Sequence, residues 1–194
     1  MSRHVRALIL LLFVASCGST EGTAPRNLEN ACDILNERPH YLRAMRRTER
    51  KWGVPVAVQM ATIHQESKFI GNARTPLRYT LGVIPMGRQS SAYGYSQALD
   101  GTWAEYKQKQ SRPRAKRDNI NDATDFMGWY MHQTQTGLGV SKRDAKNQYL
   151  AYHEGRSGYA RGSYNAKPWL LTVSDKVQTR AILYENQLRA CRKL

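Results

Sequence analysis

Apolar residues recur every three or four positions along most of the chain after residue 27, a spacing that lays a stripe along one face of a helix. "LENACDILNE" places Leu28, Ala31, Cys32, Ile34 and Leu35 on one such stripe. Pro39 opens a second segment that runs to Trp52, and Gly53 ends it. Pro55 starts "VPVAVQMATIHQES", where Val54, Val58, Met60, Ala61 and Ile63 cover a wide arc, so this helix is expected at the centre of the fold. Residues 69–91 break the pattern with Gly71, Pro76, Gly82, Pro85 and Gly87, and "RYTLGVIP" within them could form a small hairpin. Asp100 reads as the N-cap of a helix carrying Trp103 and Tyr106. Asp122 reads as the cap of "ATDFMGWYMHQTQT", which Gly137 stops. "RDAKNQYLAYHEG" gives a helix ending at Gly155, a glycine-rich loop follows, and Trp169 to Leu188 forms the last helix. The pattern predicts a mainly α, single-domain protein without internal repeats.

The N-terminus departs from this pattern. Arg3 and Arg6 precede the apolar run "LILLLFVA", and small residues follow: a signal peptide over residues 1–16, too short to span a bilayer stably. "VASC", Val14 to Cys17, resembles a bacterial lipobox. That resemblance implies cleavage before Cys17 and its acylation, an ordinary signal peptide being the alternative. Gly18 stands where, by resemblance to the Gram-negative sorting rule, Asp would favour the inner membrane. The expected location is therefore the periplasmic face of the outer membrane. Residues 17–26 are small and polar, as in a flexible tether, which leaves 27–194 for the folded domain.

Export places the remaining cysteines in an oxidising compartment. Cys32 and Cys191 lie near opposite ends of the mature chain, and domain termini often meet, so the two are expected to form a disulfide rather than stand as separate thiols. The formal charge of +15 falls by two, to +13, once Arg3 and Arg6 leave with the signal. Such a balance calls for an anionic partner. Export argues against nucleic acid and for a cell-wall polymer or an anionic membrane. The basic run "KQKQSRPRAKR" is either a solvated loop or an anion-binding patch.

Candidate chemistry narrows to one residue. His64 and Glu66 do not make HExxH, His153–Glu154 lacks a second histidine, and no P-loop, GxGxxG or GxSxG occurs. No metal or cofactor is expected. Glu66 sits in the last turn of the apolar helix, where desolvation should raise its pKa and leave a protonated acid. A protonated glutamate can protonate a leaving oxygen, as in glycosidic cleavage. Aromatic and amide groups suited to sugars cluster at Tyr93, Tyr95, Gln97 and Trp103, and again at Tyr149, Tyr152, Tyr159 and Tyr164. The bland reading is a surface Glu66 paired with Lys68 or an arginine, with packed tyrosines.

Three ordered blocks bear on that choice. "ES" at Glu66–Ser67, "YGYSQ" at Tyr93–Gln97 and "AYHEG" at Ala151–Gly155 resemble the ES, G-L-M-Q and A-Y-N-A-G segments of the soluble-lytic-transglycosylase domain. "VQTRAIL" is similar to the family's E-T-R-x-Y-V motif, but Ile182 replaces its tyrosine, and Tyr184 is a candidate substitute. The resemblance implies a lysozyme-like fold acting as a monomer on peptidoglycan glycan strands without a cofactor. It implies Glu66 as the catalytic acid–base, Tyr152 holding its orientation, Gln97 and the backbone at Gly94 positioning the sugar, and Ser67 in support with Tyr93, Tyr95 and Ser96. Two alternatives stay open: a hydrolase on the same fold, with Asp100 or Glu154 facing Glu66, and an inactive wall-binding lipoprotein. Glu154 itself is expected to pair with an arginine.

Overall fold

The computed structural model describes residues 22–194; the expected signal peptide and the expected acylation site Cys17 lie outside the described residues. Among these, seven helices and one two-stranded sheet form the domain, so the mainly α expectation holds. Asn30 caps α1 (Ala31–Glu37) by accepting from the amides of Cys32 and Asp33. α2 (Pro39–Trp52) starts on its proline and stops at Gly53, whose φ of 71° is left-handed. α3 (Val56–Ser67) is buried on nearly every side, from Val56 through His64, and packs against α2, α5, α6 and α7. A helix so enclosed has nowhere to solvate a polar side chain. Gln59 accordingly donates to the carbonyls of Met45 (3.0 Å) and Val54 (2.8 Å).

The strands β1 (Leu77–Thr80) and β2 (Ile84–Arg88) pair antiparallel, with Thr80 opposite Ile84 and Gly82 at positive φ in the turn. Both strands are exposed throughout. α4 (Asp100–Lys109) is capped by Leu99, not Asp100; Asp100 occupies the first turn, with its carboxylate 2.7 Å from the Arg117 guanidinium. α5 (Ile120–Leu138) is capped by the Asn119 side chain, so Asp122 also falls in the first turn, and Gly139 replaces Gly137 as the terminator. An aspartate near a helix start fits a cap and a first turn equally well in sequence. The residue whose backbone stays extended takes the cap.

α6 (Ala145–Ala160) does not end at Gly155. It kinks there, at φ 73° and ψ 154°, and the helical path resumes. Only glycine adopts that conformation readily. A short 3-10 turn over Ser163–Ala166 then leads into α7 (Pro168–Ala190). The chain already packs on the domain at Pro25, which is buried, just before the expected domain start.

Two devices fasten the helices. Asp125 on α5 accepts from Lys51 (3.0 Å) and Trp52 (2.8 Å) of α2, Tyr106 of α4 (2.7 Å) and Arg112 (2.8 Å). Arg112, from the basic run, also pairs with Asp122 at 2.8 Å. Cys32 and Cys191 are joined as expected, with Cα atoms 6.5 Å apart, tying α1 to the end of α7 across 159 residues. In the chain-entropy model a loop of that length is worth about 5 kcal/mol.

Candidate active site

α3 ends abruptly. Lys68 (φ 52°) and Phe69 (φ 61°) are left-handed, the Lys68 amide closes the helix on the His64 carbonyl, and Phe69 turns back into the core onto Tyr41. This leaves Glu66 half-buried in the final turn and Ser67 buried beside it. Tyr149 and Tyr152 of α6, three apart and hence on one helix face, stand over the carboxyl. The Tyr149 hydroxyl is close enough to Glu66 to act on its carboxyl as a hydrogen-bond donor, and the Glu66 charge also acts on Tyr152.

Burial raises the Glu66 pKa to about 7, against the Tyr149 hydrogen bond and the Lys68 charge, which both pull it down. Burial and the Glu66 charge in turn push both tyrosines upward, so they remain protonated donors. The surface ion-pair reading of Glu66 therefore fails. Lys68 is instead 3.3 Å from the His64 ring nitrogen.

The segment 93–97 is clamped to α3 on one side and to α6 on the other. Ser67 donates to the Tyr95 carbonyl (2.9 Å) and Tyr152 to the Ser96 carbonyl (2.6 Å). Tyr152 thus holds the 93–97 loop, while Tyr149 is the donor that acts on the carboxyl itself. Tyr95 and Ser96 are wholly buried, and the Tyr95 hydroxyl lies 3.0 Å from that of Tyr41. Both are supports that no substrate reaches directly. Gly94 (φ 81°) presses on Arg117 so closely that any Cβ would overlap its carbonyl, which gives a physical reason for glycine there. Gln97 spends its amide nitrogen on the carbonyls of Ala73 (3.0 Å) and Gly94 (2.8 Å); its oxygen has no partner among the described residues. Tyr93 donates to Asp118 at 2.9 Å, with the Arg74 guanidinium 4.2 Å above its ring.

The other carboxylates are engaged elsewhere. Glu154 pairs with Lys167 at 2.7 Å, not with an arginine. Lys167, Ser163 and His153 hold its carboxyl down at about 2. Asp100 is taken by Arg117. Neither is among the charges acting on Glu66. Tyr184 is fully buried with its hydroxyl on the Leu28 carbonyl, and Ile182 is exposed, so α7 offers no tyrosine hydroxyl to the carboxyl. The partner that sequence reasoning misses is Tyr149, which reads there only as one of several sugar platforms. Its spacing from Tyr152 is the signal that could have found it.

A cavity of about 590 Å³ opens between α3 and α7, lined by Gln65, Lys68, Lys176 and Arg180 among others. Glu66 does not line it, so the site is placed by the carboxyl and its donors and not by cavity size. Among the described residues no cluster of three or more His, Cys, Asp or Glu side chains could hold a metal.

A family model described as "Transglycosylase SLT domain" matches residues 5–191. No curated protein matches the chain in sequence. The match spans nearly the whole chain, and a lone carboxyl raised to about 7 in the last turn of a buried helix is in keeping with it. The chain belongs to the transglycosylase SLT-domain family, a family of lytic transglycosylases acting on peptidoglycan.

Proposed function

We propose that the protein cleaves the β-1,4 bond between N-acetylmuramic acid and N-acetylglucosamine without water, leaving 1,6-anhydromuramoyl ends. The observation that carries this reading is a single carboxyl held near pH 7 with no second carboxylate acting on it. Hydrolysis on this kind of site generally needs a second carboxylate, as base or nucleophile. Here Glu154 and Asp100 are both committed to cations.

In the first step the protonated Glu66 gives its proton to the glycosidic oxygen as the muramoyl C1–O bond breaks, and N-acetylglucosamine leaves with a free 4-hydroxyl. In the second, the Glu66 carboxylate takes the proton of the muramoyl C6 hydroxyl while O6 bonds to C1. Glu66 ends protonated, and no water is consumed. A pKa of about 7 suits both halves, because neither form is far out of reach at neutral pH. Tyr149 hydrogen-bonds the charged form, and Tyr152 with Ser67 holds the 93–97 segment opposite. The free Gln97 oxygen and the backbone around Gly94 position the sugar. Tyr95 and Ser96, which depart from the family segment, pack in the core, so their substitution is no argument for an inactive site.

The N-terminal sequence supports export, acylation at Cys17 and anchoring at the periplasmic face of the outer membrane. The Cys32–Cys191 bridge agrees with an oxidising compartment. Cleavage in water enriched in heavy oxygen tests the chemistry. Products without the label support internal attack by the C6 hydroxyl; labelled reducing ends overturn it in favour of hydrolysis.

A further inference from the structure

The β1–β2 hairpin does not behave like part of the domain. Of the eleven exposed large hydrophobic side chains among the described residues, six lie between Leu77 and Met86, so the exposure is concentrated and not scattered. At the tip Leu81 and Val83 are 85% and 75% exposed; Tyr79, Ile84 and Met86 follow behind. Exposed apolar side chains gathered in one place mark an interaction site, and the register puts them on both faces of the hairpin, Tyr79 opposite Pro85 and Ile84 opposite Thr80. The charge around it has one sign. From Ser67 to Leu99 the sequence holds no Asp or Glu, yet it carries Lys68, Arg74, Arg78 and Arg88. Arg74, Arg78 and Arg88 have no carboxylate partner among the described residues.

We infer that this hairpin is a membrane-docking element that enters the interface of an anionic lipid surface. Five of the six side chains are aliphatic or thioether groups, which offer a sugar no flat aromatic face, whereas acyl chains accept them without preference. A strand rises about 3.3 Å per residue. β1 ends at Thr80 and Leu81 opens the turn, so Leu81 stands at most about 10 Å beyond Arg78, within the depth to which apolar groups enter the headgroup–acyl boundary when basic residues stay at the phosphates. Tyr79, with an apolar ring and a polar tip, lies between them, as interfacial tyrosines do.

The position of Gly22 agrees. A Cβ placed on Gly22 would sit 3.4 Å from the Asn72 amide, so the first described residue lies near the hairpin's base. Five residue steps separate Cys17 from Gly22, a reach of at most about 18 Å. If Cys17 is acylated as proposed above, lipid and hairpin address the same surface. The docking inference itself rests on the hairpin alone.

The test uses the full chain with Leu81→Trp, read as a fluorescence difference from the parent protein. Vesicles are either phosphatidylcholine or a phosphatidylcholine–phosphatidylglycerol mixture, with bromine on the acyl chains. The expected result is a blue shift and strong quenching on the anionic vesicles. The signal should weaken with salt and fall at least tenfold in apparent affinity when Val83→Asp and Ile84→Asp are added. Tenfold is the floor: losing the burial of two aliphatic side chains, each worth roughly tenfold, amounts to about a hundredfold when both are fully buried. Turnover of soluble glycan should be unchanged in the variant. The reporter reads the hairpin directly, so the outcome does not depend on the N-terminal lipid or on the chemistry at Glu66. A tip that stays unquenched on anionic vesicles overturns the inference. So does a shift that appears only on adding glycan, which makes the hairpin a grip on substrate. A shift that follows protein concentration without lipid would make it an interface between copies, and overturns it too.

Discussion

Glu66 keeps its proton because its surroundings solvate the anion poorly, and that has consequences for both rate and stability. On the proposed mechanism the acid is needed first, so activity should fall as pH rises through about 7. Tyr149 hydrogen-bonds the carboxylate and lowers its pKa; Tyr149→Phe should therefore move the alkaline limb to higher pH while lowering the maximal rate through lost orientation. Tyr152→Ala should do the reverse to the limb. It admits water beside the carboxyl, relieves the desolvation and shifts the limb to more acidic pH. Turnover of purified glycan against pH for the two variants separates these roles, and equal shifts in one direction would contradict the assignment. The stability argument has its own sign. A carboxyl whose folded pKa lies above its unfolded value binds more protons folded than unfolded, so stability declines as pH rises from about 4.5 to about 7. The loss amounts to at most about 3 kcal/mol. Glu66→Gln removes that liability. It should melt higher than the parent at pH 8 and gain much less at pH 4, as thermal unfolding at the two pH values would show.

At the scale of elements, α3 is the most legible part of the chain. Its apolar arc from Val54 to Ile63 predicts a central helix, and the structure buries it. Glu66 at its end is legible for the same reason, since a carboxylate in an apolar turn demands an explanation. Tyr149 is not, because one-dimensional periodicity shows which residues share a face of α6 but not which neighbouring helix that face meets. Tyr95 misleads in the opposite direction. An aromatic inside a motif suggests a sugar platform, yet its hydroxyl is met by Tyr41 from α2, more than fifty residues earlier in the chain. The hairpin can be read from its glycines and proline, while its exposure cannot, since apolar strands usually cover a core. Close packing between elements gives a separate prediction. A Cβ on Gly128 of α5 would sit 2.5 Å from the Trp52 ring and 2.6 Å from Thr48 on α2. Gly128→Ala should cost about 1–3 kcal/mol by overpacking. Denaturant unfolding should show that loss, with glycan turnover kept wherever the protein remains folded.

On the reading proposed above, the whole molecule is an exported domain fastened at its ends, fitted with one proton-shuttling carboxyl and held at a surface. The Cys32–Cys191 bridge closes most of the domain into one loop. Cys32→Ser with Cys191→Ser should lower stability by up to about 5 kcal/mol while leaving Glu66 and its donors in place. Urea titration of reduced and oxidised protein measures the difference. Cys17→Ser should abolish acylation and membrane partitioning yet spare turnover of soluble glycan; an acylated Cys17→Ser product would contradict the anchor. The central claim is that one carboxyl performs both proton transfers and the muramoyl C6 hydroxyl takes the place of water. Mass spectrometry of the fragments released from purified sacculi by the parent protein and by Glu66→Gln tests it most directly. The expected result is 1,6-anhydromuramoyl ends from the parent, one water lighter than reducing ends. From Glu66→Gln the expected release is lower by about 100- to 10,000-fold. Reducing ends from the parent, or anhydro ends at undiminished rate from Glu66→Gln, would contradict it.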